Sequence, residues 1–136
     1  MKLSHTVSYA IQATMKLAEA GMSRPVPCSK LAMEGNMPER FLLQILRNLV
    51  THGILQSTRG VDGGYTLERN PRDISLLEIV EAVEGPLDST LPEEVQVLSE
   101  KDGQLREALH RVAEAMRERM ATIKLSDLTA RPVSRN

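Results

Sequence analysis

The fold of this 136-residue chain is decided by residues 39–67, which read ERFLLQILRNLVTHGILQSTRGVDGGYTL. Apolar residues recur there every three or four positions from 39 to 52, which predicts an amphipathic helix. Gly53 ends the helix, and two short β-patterned runs follow around the glycine-rich loop 59–63. A helix followed directly by a hairpin is the arrangement of a winged helix-turn-helix.

The predicted helix has two different faces on a helical wheel. Its apolar side consists of Phe41, Leu42, Ile45, Leu46, Leu49 and Val50. Its polar arc consists of Arg40, Gln44, Arg47 and Asn48. Arginine and amide side chains make bidentate contacts to guanine and adenine in the major groove. A solvated helix face has the same composition, so the hairpin that follows is what favours DNA binding.

The predicted strands of the hairpin are 54–58 and 64–67. Glycines in the loop permit positive φ and a close approach of the backbone to another molecule. Arg59, at the base of the loop, can reach a minor groove or a phosphate. Phosphates would repel Asp62 at the tip, so Asp62 either points away from DNA or helps to select the site.

Two helices precede the decisive stretch. The first is predicted from Ser4, as N-cap, to Ala20. Its apolar stripe is Val7, Ala10, Ile11, Met15 and Ala18. The second is predicted over Cys28–Glu34, with Leu31 and Ala32 facing inward. In the turn that follows, Gly35 is expected to adopt the left-handed conformation and Pro38 to begin the next helix.

Two further helices follow the hairpin. Ser75 and Glu78 form a capping box with a staple of Ile74 and Ile79, which predicts a helix from Leu76 to Val83, ended by Gly85-Pro86. The last long helix is predicted from Gln104 to Leu125. Its length of roughly 33 Å is more than a domain of this size can cover with its own residues. Its near-heptad stripe is Leu105, Leu109, Val112, Met116, Met120 and Ile123. This stripe predicts a dimerisation helix, and a helix that folds back on its own domain is the alternative.

The predicted fold is therefore mainly α with a small β-hairpin wing, a winged helix-turn-helix plus a long C-terminal dimerisation helix. The expected divisions are a DNA-binding domain, a linker, the dimerisation helix and a tail, at 1–86, 87–102, 103–130 and 131–136. No apolar run approaches the roughly 20 residues that span a bilayer and no leader is evident, so we expect a cytoplasmic protein without a membrane partner.

The distribution of charge gives weak support for a nucleic-acid partner. The whole chain has a net charge of -1. Residues 1–74 contain nine Lys and Arg against six Asp and Glu, and residues 75–136 contain eight against twelve. The basic excess therefore lies in the predicted DNA-binding domain.

Catalytic and metal chemistry are poorly supported. The glycine loop lacks the Lys-Ser/Thr of a P-loop, and one cysteine and three scattered histidines do not form a triad. We therefore predict no enzyme, no catalytic residue, no metal site and no cofactor, although a metal site assembled across a dimer stays open. The lone Cys28, near a helix N-terminus, is either a small core residue or a redox switch.

Four stretches together carry a family resemblance: 1–4, 37–55, the wing 59–65 and 79–87, which reads IVEAVEGPL. The chain resembles the Rrf2 family of bacterial winged helix-turn-helix transcriptional regulators over nearly its whole length. The resemblance implies a homodimer with crossing C-terminal helices that binds a pseudo-palindromic operator in double-stranded DNA. The candidate DNA-binding residues come from the helix-turn-helix and the wing, together with the positions that the resemblance implies. They are Lys30, Arg40, Phe41, Gln44, Arg47, Asn48, Arg59, Gly60, Gly63 and Gly64.

Three departures from the family pattern modify these expectations. Family members that hold an iron-sulfur cluster have three cysteines in the segment that corresponds to residues 88–103. This chain has no cysteine there, so cluster ligation of that kind is not expected. Leu43 replaces a frequent acidic residue, which should change the operator preference. Val50-Thr51 replaces a basic pair and weakens the expected phosphate contacts.

The sequence thus predicts a sequence-specific DNA-binding regulator, with repression as the expected mode because a dimer can act by occupying a promoter. A winged-helix module for protein contacts is the alternative, as is a regulator that needs a partner protein or a small-molecule co-effector. The operator and the signal are not readable from the residues.

Overall fold

The structure is a computed structural model that describes residues 3–87 and 102–129. Its elements are α1 (His5–Ala20), α2 (Cys28–Gly35), α3 (Glu39–Thr51), β1 (Leu55–Thr58), β2 (Gly64–Leu67), a 3-10 turn (Pro71–Asp73), α4 (Leu76–Glu84), α5 (Asp102–Thr122) and α6 (Leu125–Thr129). The mainly helical architecture with one β-hairpin confirms the predicted fold class. Most of the predicted linker and the tail 131–136 lie outside the described residues.

Helix α1 begins where the sequence predicted. The Ser4 hydroxyl accepts a hydrogen bond from the backbone N–H of Val7 at 3.2 Å, which satisfies one of the free donors of the first turn. The buried side of α1 is rotated around the helix from the predicted stripe and shares only Val7 and Ala10 with it. It consists of Val7, Ala10, Ala13, Thr14 and Leu17, whereas Ile11, Met15 and Ala18 are only partly buried.

The turn between α2 and α3 differs from the prediction in one residue. Asn36, with φ 52° and ψ 50°, adopts the left-handed conformation expected for Gly35, which instead ends α2. Asparagine tolerates this conformation because its short polar side chain can hydrogen-bond locally. A Cβ on Gly35 would lie 2.5 Å from the Cε of Met37, the end of a flexible side chain that can move aside, so this contact does not demand glycine. Pro38 directly precedes α3, as predicted.

The wing is attached to the segment before α2 as well as to itself. Strands β1 and β2 pair antiparallel, with Leu55 opposite Leu67 and Thr58 opposite Gly64. Val26 and Tyr65 exchange two backbone hydrogen bonds of 3.0 and 2.9 Å, so Val26 acts as a short third strand. This pairing fixes the hairpin to the helix-turn-helix.

Helix α4 begins with the predicted capping box. The Ser75 hydroxyl accepts from the Glu78 N–H at 3.1 Å, and the Glu78 carboxylate accepts from the Ser75 N–H at 3.0 Å. Gly85 ends the helix at a φ of 87°. The staple residues Ile74 and Ile79 are both fully buried in the main core.

The C-terminal helix ends earlier than predicted, so the expectation of one helix through Leu125 was wrong. Helix α5 stops at Thr122, and Ile123 lies outside it. The Leu76 N–H donates to the Ile123 carbonyl, and the Leu125 N–H donates to the Ile74 carbonyl, each at 2.8 Å. Leu125 is fully buried in the core. Burial of this side chain and the two backbone hydrogen bonds turn the chain back onto its own domain.

One apolar cluster holds the helix-turn-helix, the wing and α4 together. Its fully buried large side chains are Leu17, Leu31, Leu42, Ile45, Leu46, Leu49, Ile54, Leu55, Leu67, Ile74, Ile79 and Leu125. A smaller cluster of Val7, Val80 and Met120 joins α1, α4 and the end of α5. Large residues of this kind contribute about 1.5–3 kcal/mol each when fully buried, which makes the core the main support of the recognition elements.

Candidate nucleic-acid interface

Helix α3 separates its side chains into a buried and an exposed face. Leu42, Ile45, Leu46 and Leu49 are buried. Arg40, Gln44 and Arg47 are exposed, and Asn48 is half-buried with its Oδ1 accepting from the Gln44 Nε2 at 3.5 Å. The predicted polar arc is therefore a surface on which two guanidinium groups and two amides lie together.

Phe41 does not pack into the core, in contrast to the helical-wheel prediction. Its side chain is 41% exposed, and its ring meets Tyr9 edge-on with a centroid distance of 5.7 Å. Tyr9 in turn contacts the ring of His5 at 5.8 Å. This ladder of three rings joins α1 to the first turn of α3 on the surface. Three residues separate Phe41 from Gln44, so their side chains lie about 60° apart around the helix and Phe41 borders the polar arc.

The tip of the wing is a tight turn that exposes two side chains. The Gly63 N–H donates to the Gly60 carbonyl at 3.0 Å, and Gly60 has a φ of 111°. Val61 is fully exposed, and Asp62 and Arg59 are exposed beside it. Gly63 admits no side chain, because a Cβ there would lie 2.2 Å from the Thr58 carbonyl oxygen.

Gly64 is the point at which the wing meets the segment before α2. Its φ is 150°, and a Cβ there would lie 2.4 Å from the carbonyl carbon of Val26. The three predicted wing glycines thus shape and anchor the hairpin, whereas Arg59 is the exposed charged group at its base.

Two basic residues flank the wing and α3 on neighbouring elements. Lys30, a predicted site residue, is exposed on α2. Arg24 was not predicted; it is exposed and lines a cleft with Val61, Asp62 and Gly63 of the wing tip. The Val26–Tyr65 pairing brings Arg24 close to the wing tip. Because only one residue forms this bridge, the sequence shows no alternating β-pattern that would have predicted it.

Arg69 is a second residue that the sequence did not reveal. Its guanidinium pairs with the Glu78 carboxylate and donates to the Asp73 carbonyl at 3.0 Å and to the Gly53 carbonyl at 3.4 Å. Burial of Glu78 opposes ionisation, but its hydrogen bonds to Ser75 and Arg69 outweigh burial and lower the pKa of this carboxyl. Arg69 therefore ties the junction of α3 and β1 to the start of α4.

Cys28 is the first residue of α2 and is partly buried. Its thiol lies 3.7 Å from the Glu39 carbonyl oxygen. Burial, and secondly the negative charge of Glu39, raise the pKa of the thiol above its ordinary value of 9.0. A raised pKa does not favour the thiolate that a redox switch needs.

The predicted dimerisation stripe is divided by the structure. Met116 and Met120, near the end of α5, pack against the smaller cluster of Val7 and Val80, and Arg117 pairs with Glu81 of α4. Leu105 and Val112, nearer its start, are 44% and 55% exposed. Leu109 and Ile123 are half-buried. One end of α5 is thus seated on its own domain, and the other carries uncovered apolar side chains.

These features define a winged helix-turn-helix protein: α2 and α3 form the helix-turn-helix and β1–β2 the wing. The profile of the Rrf2 family, described as iron-dependent transcriptional regulators, matches residues 3–131, and the chain belongs to this family. Membership in a family of transcriptional regulators agrees with the prediction that the chain is not an enzyme.

Individual relatives are similar over most or part of the chain. The HTH-type transcriptional regulator CymR of Bacillus subtilis is 29% identical over 130 residues, 96% of this chain and 91% of CymR. A Mycobacterium tuberculosis protein named as an HTH-type transcriptional regulator is 37% identical over 89 residues, 65% of this chain. The match spans only 55% of that protein, about half its length.

Solved structures share the fold. The B. subtilis CymR structure superimposes with a TM-score of 0.79 and 29% identity, covering 95% of this chain and 96% of that one. IscR of T. potens gives a TM-score of 0.75 and 29% identity, covering 94% of this chain and 85% of that one.

The family description refers to iron. The sequence has one cysteine. Within 3–87 and 102–129, no group of three or more His, Cys, Asp or Glu is arranged to hold a metal ion. In the same ranges no helix is long and apolar enough to cross a membrane.

Proposed function

We propose that the chain is a sequence-specific regulator that binds double-stranded DNA as a homodimer and represses transcription by occupying a pseudo-palindromic operator. The observation that carries the proposal is the exposed arc of Arg40, Gln44 and Arg47 on a helix that is held in the core by Leu42, Ile45, Leu46 and Leu49 and is followed at once by an anchored wing. A rigid helix with one uncovered polar face fits the major groove.

The residues divide between reading bases and holding phosphates. Arg40 and Arg47 suit bidentate contacts to guanine, and Gln44 suits adenine. Lys30, Arg24 and Arg59 lie on the neighbouring elements and suit phosphate oxygens or the minor groove. Asn48 positions Gln44 through the hydrogen bond between their amides, and Phe41 supplies an apolar edge for a thymine methyl.

The uncovered half of α5 supports the homodimer. Leu105 and Val112 lie two helical turns apart on one face of the helix, where a second copy would bury them. Symmetric crossing of two such helices gives a twofold axis, and a twofold protein matches a pseudo-palindromic operator.

The signal does not act through a three-cysteine cluster in this proposal, because the sequence has only Cys28. Repression follows from occupancy alone and requires no activation surface. In this proposal the signal that regulates DNA binding is a small molecule or a partner protein.

The test is selection of bound genomic DNA fragments by the full chain, followed by affinity measurements over a range of salt. We expect a pseudo-palindromic motif, and an affinity that does not change when an iron chelator is added. Replacement of Arg47 or Arg59 by Ala should weaken binding about 5- to 100-fold, and each lost phosphate contact should lower the salt slope by about 0.9.

Arg72→Ala is the matched control, since Arg72 is also exposed but lies in the 3-10 turn next to α6. It should retain wild-type affinity. Failure to enrich any sequence would overturn the proposal in favour of a protein-interaction module. Unchanged binding by both site variants would overturn the assignment of the site.

A further inference from the structure

The wing tip has an unusual charge for an element that meets DNA. The turn from Gly60 to Gly63 exposes Val61 fully and Asp62 beside it. Among the described residues, Asp62 forms no ion pair within 4 Å, although Arg24 lines the same cleft. The foremost polar group of the wing is therefore an unpaired carboxylate.

The wing is long enough to reach a second groove. Strand β1 has four residues, which extend roughly 13 Å at about 3.3 Å per residue. The major groove is about 12 Å wide, so a hairpin of this length can extend from a helix seated there to the neighbouring minor groove. The Val26–Tyr65 pairing holds the hairpin against the segment before α2.

A carboxylate distinguishes the two kinds of base pair in a minor groove. A·T and T·A pairs present only acceptors there, and narrow A-tracts have an enhanced negative potential. A G·C pair adds the N2 amino group of guanine, which is a donor. An ionised carboxylate can only accept, so it matches guanine and is repelled by A·T.

We infer that Asp62 is a specificity-determining residue: its carboxylate accepts a hydrogen bond from the guanine N2 amino group, so that the wing selects G·C over A·T at the operator position it faces. The guanidinium of Arg59, at the base of the same loop, supplies the positive charge that holds the wing near the backbone. The inference rests on the proposed DNA binding and adds the base pair that the wing reads.

The experiment replaces single guanines of the selected operator by inosine, one position at a time. Inosine lacks only the N2 amino group and keeps the major-groove face of guanine, so contacts of α3 are unaffected. For the full-length wild-type chain we expect one guanine per half-site at which inosine weakens binding about 10- to 100-fold, the cost of one charge-assisted hydrogen bond. At that position, 2,6-diaminopurine in an A·T pair should restore part of the affinity.

Asp62→Ala should bind guanine and inosine operators equally at that position. Glu68→Ala removes the same charge from an exposed residue just after β2 and should keep the discrimination. Wild-type binding that is indifferent to inosine at every guanine, or discrimination that survives Asp62→Ala, overturns the inference. Absence of any operator binding overturns the proposed function instead.

Discussion

Gly64 is a residue at which the attachment of the wing depends on the lack of a side chain. A Cβ there would lie 2.4–2.7 Å from backbone atoms of Val26 and Pro27, which cannot give way as a flexible side chain would. Gly64→Ala should therefore break the Val26–Tyr65 pairing and lower the free energy of unfolding by about 1–3 kcal/mol. Urea unfolding monitored by circular dichroism measures this change.

Gly103→Ala is the matched control for that prediction. Gly103 lies within α5, and a Cβ there meets nothing within 4 Å. The substitution should be neutral or stabilise the helix by up to about 1 kcal/mol. Equal effects of the two substitutions would contradict the account of the wing anchor.

At the residue scale the sequence predicted what local chemistry decides. Ser4 and the Ser75–Glu78 capping box were recognised because each cap is formed within three residues. Arg24 and Arg69 were missed because tertiary contacts decide their position. The left-handed residue of the turn was placed at Gly35 instead of Asn36 because both residue types adopt this conformation. Phe41 was assigned to the core because a wheel counts hydrophobicity and not the surrounding atoms, and Tyr9 meets it at the surface.

At the element scale, α4 begins with an ionised group whose state depends on pH. The pKa of Glu78 lies below its ordinary value of 4.5, because its bonds to Ser75 and Arg69 outweigh burial. Its contribution to stability is therefore fully present above about pH 4.5 and is lost as the pH falls through the folded-state pKa. The pair is part-exposed, so this contribution is below about 1 kcal/mol.

The prediction is that Glu78→Gln removes this part of the acid dependence. The difference in free energy of unfolding between wild type and variant, measured at a series of pH values, should be largest near neutrality and shrink below pH 4.5. Ser75→Ala removes one hydrogen bond to the same carboxylate and should therefore reduce the acid dependence of stability only in part. A difference that is constant with pH would refute the role of the ionised group.

Element boundaries show where periodicity stops being informative. The starts of α1 and α3 agree with the predictions to within one residue, because caps and prolines mark them. The end of α5 does not agree, since the apolar spacing continues through Ile123 while the backbone leaves the helix and bonds to residues 74–76, at the start of α4. These hydrogen bonds join residues far apart in the sequence, so the local spacing of apolar residues does not reveal them.

At the scale of the whole molecule, α5 is anchored to its domain at one end and uncovered at the other. Met120 and the Arg117–Glu81 pair fix the end that leads into α6. The helix therefore folds back on its own domain at Met116 and Met120, as the alternative interpretation expected. Leu105 and Val112 are exposed, and dimerisation through them stays a prediction. The sequence predicted the stripe but not where it divides, because the dividing contacts come from α1 and α4.

The division gives a prediction about assembly. Val112→Lys places a charge in the uncovered half of α5, and the proposed pairing of two such helices would bury this charge. The dimer should dissociate at micromolar concentration while the monomer keeps its fold, since Val112 is outside both buried clusters. Operator affinity should fall at least tenfold, because two half-sites are then bound independently.

Glu114→Gln is the control, because it changes the charge by the same amount on the opposite side of the same exposed helix. Its mass in solution and its operator affinity should equal those of the wild type. Light scattering gives the mass and circular dichroism the helix content. A wild-type chain that is monomeric, or a Val112→Lys variant that stays dimeric, would contradict the role given to α5 and would leave operator recognition to a single winged helix-turn-helix.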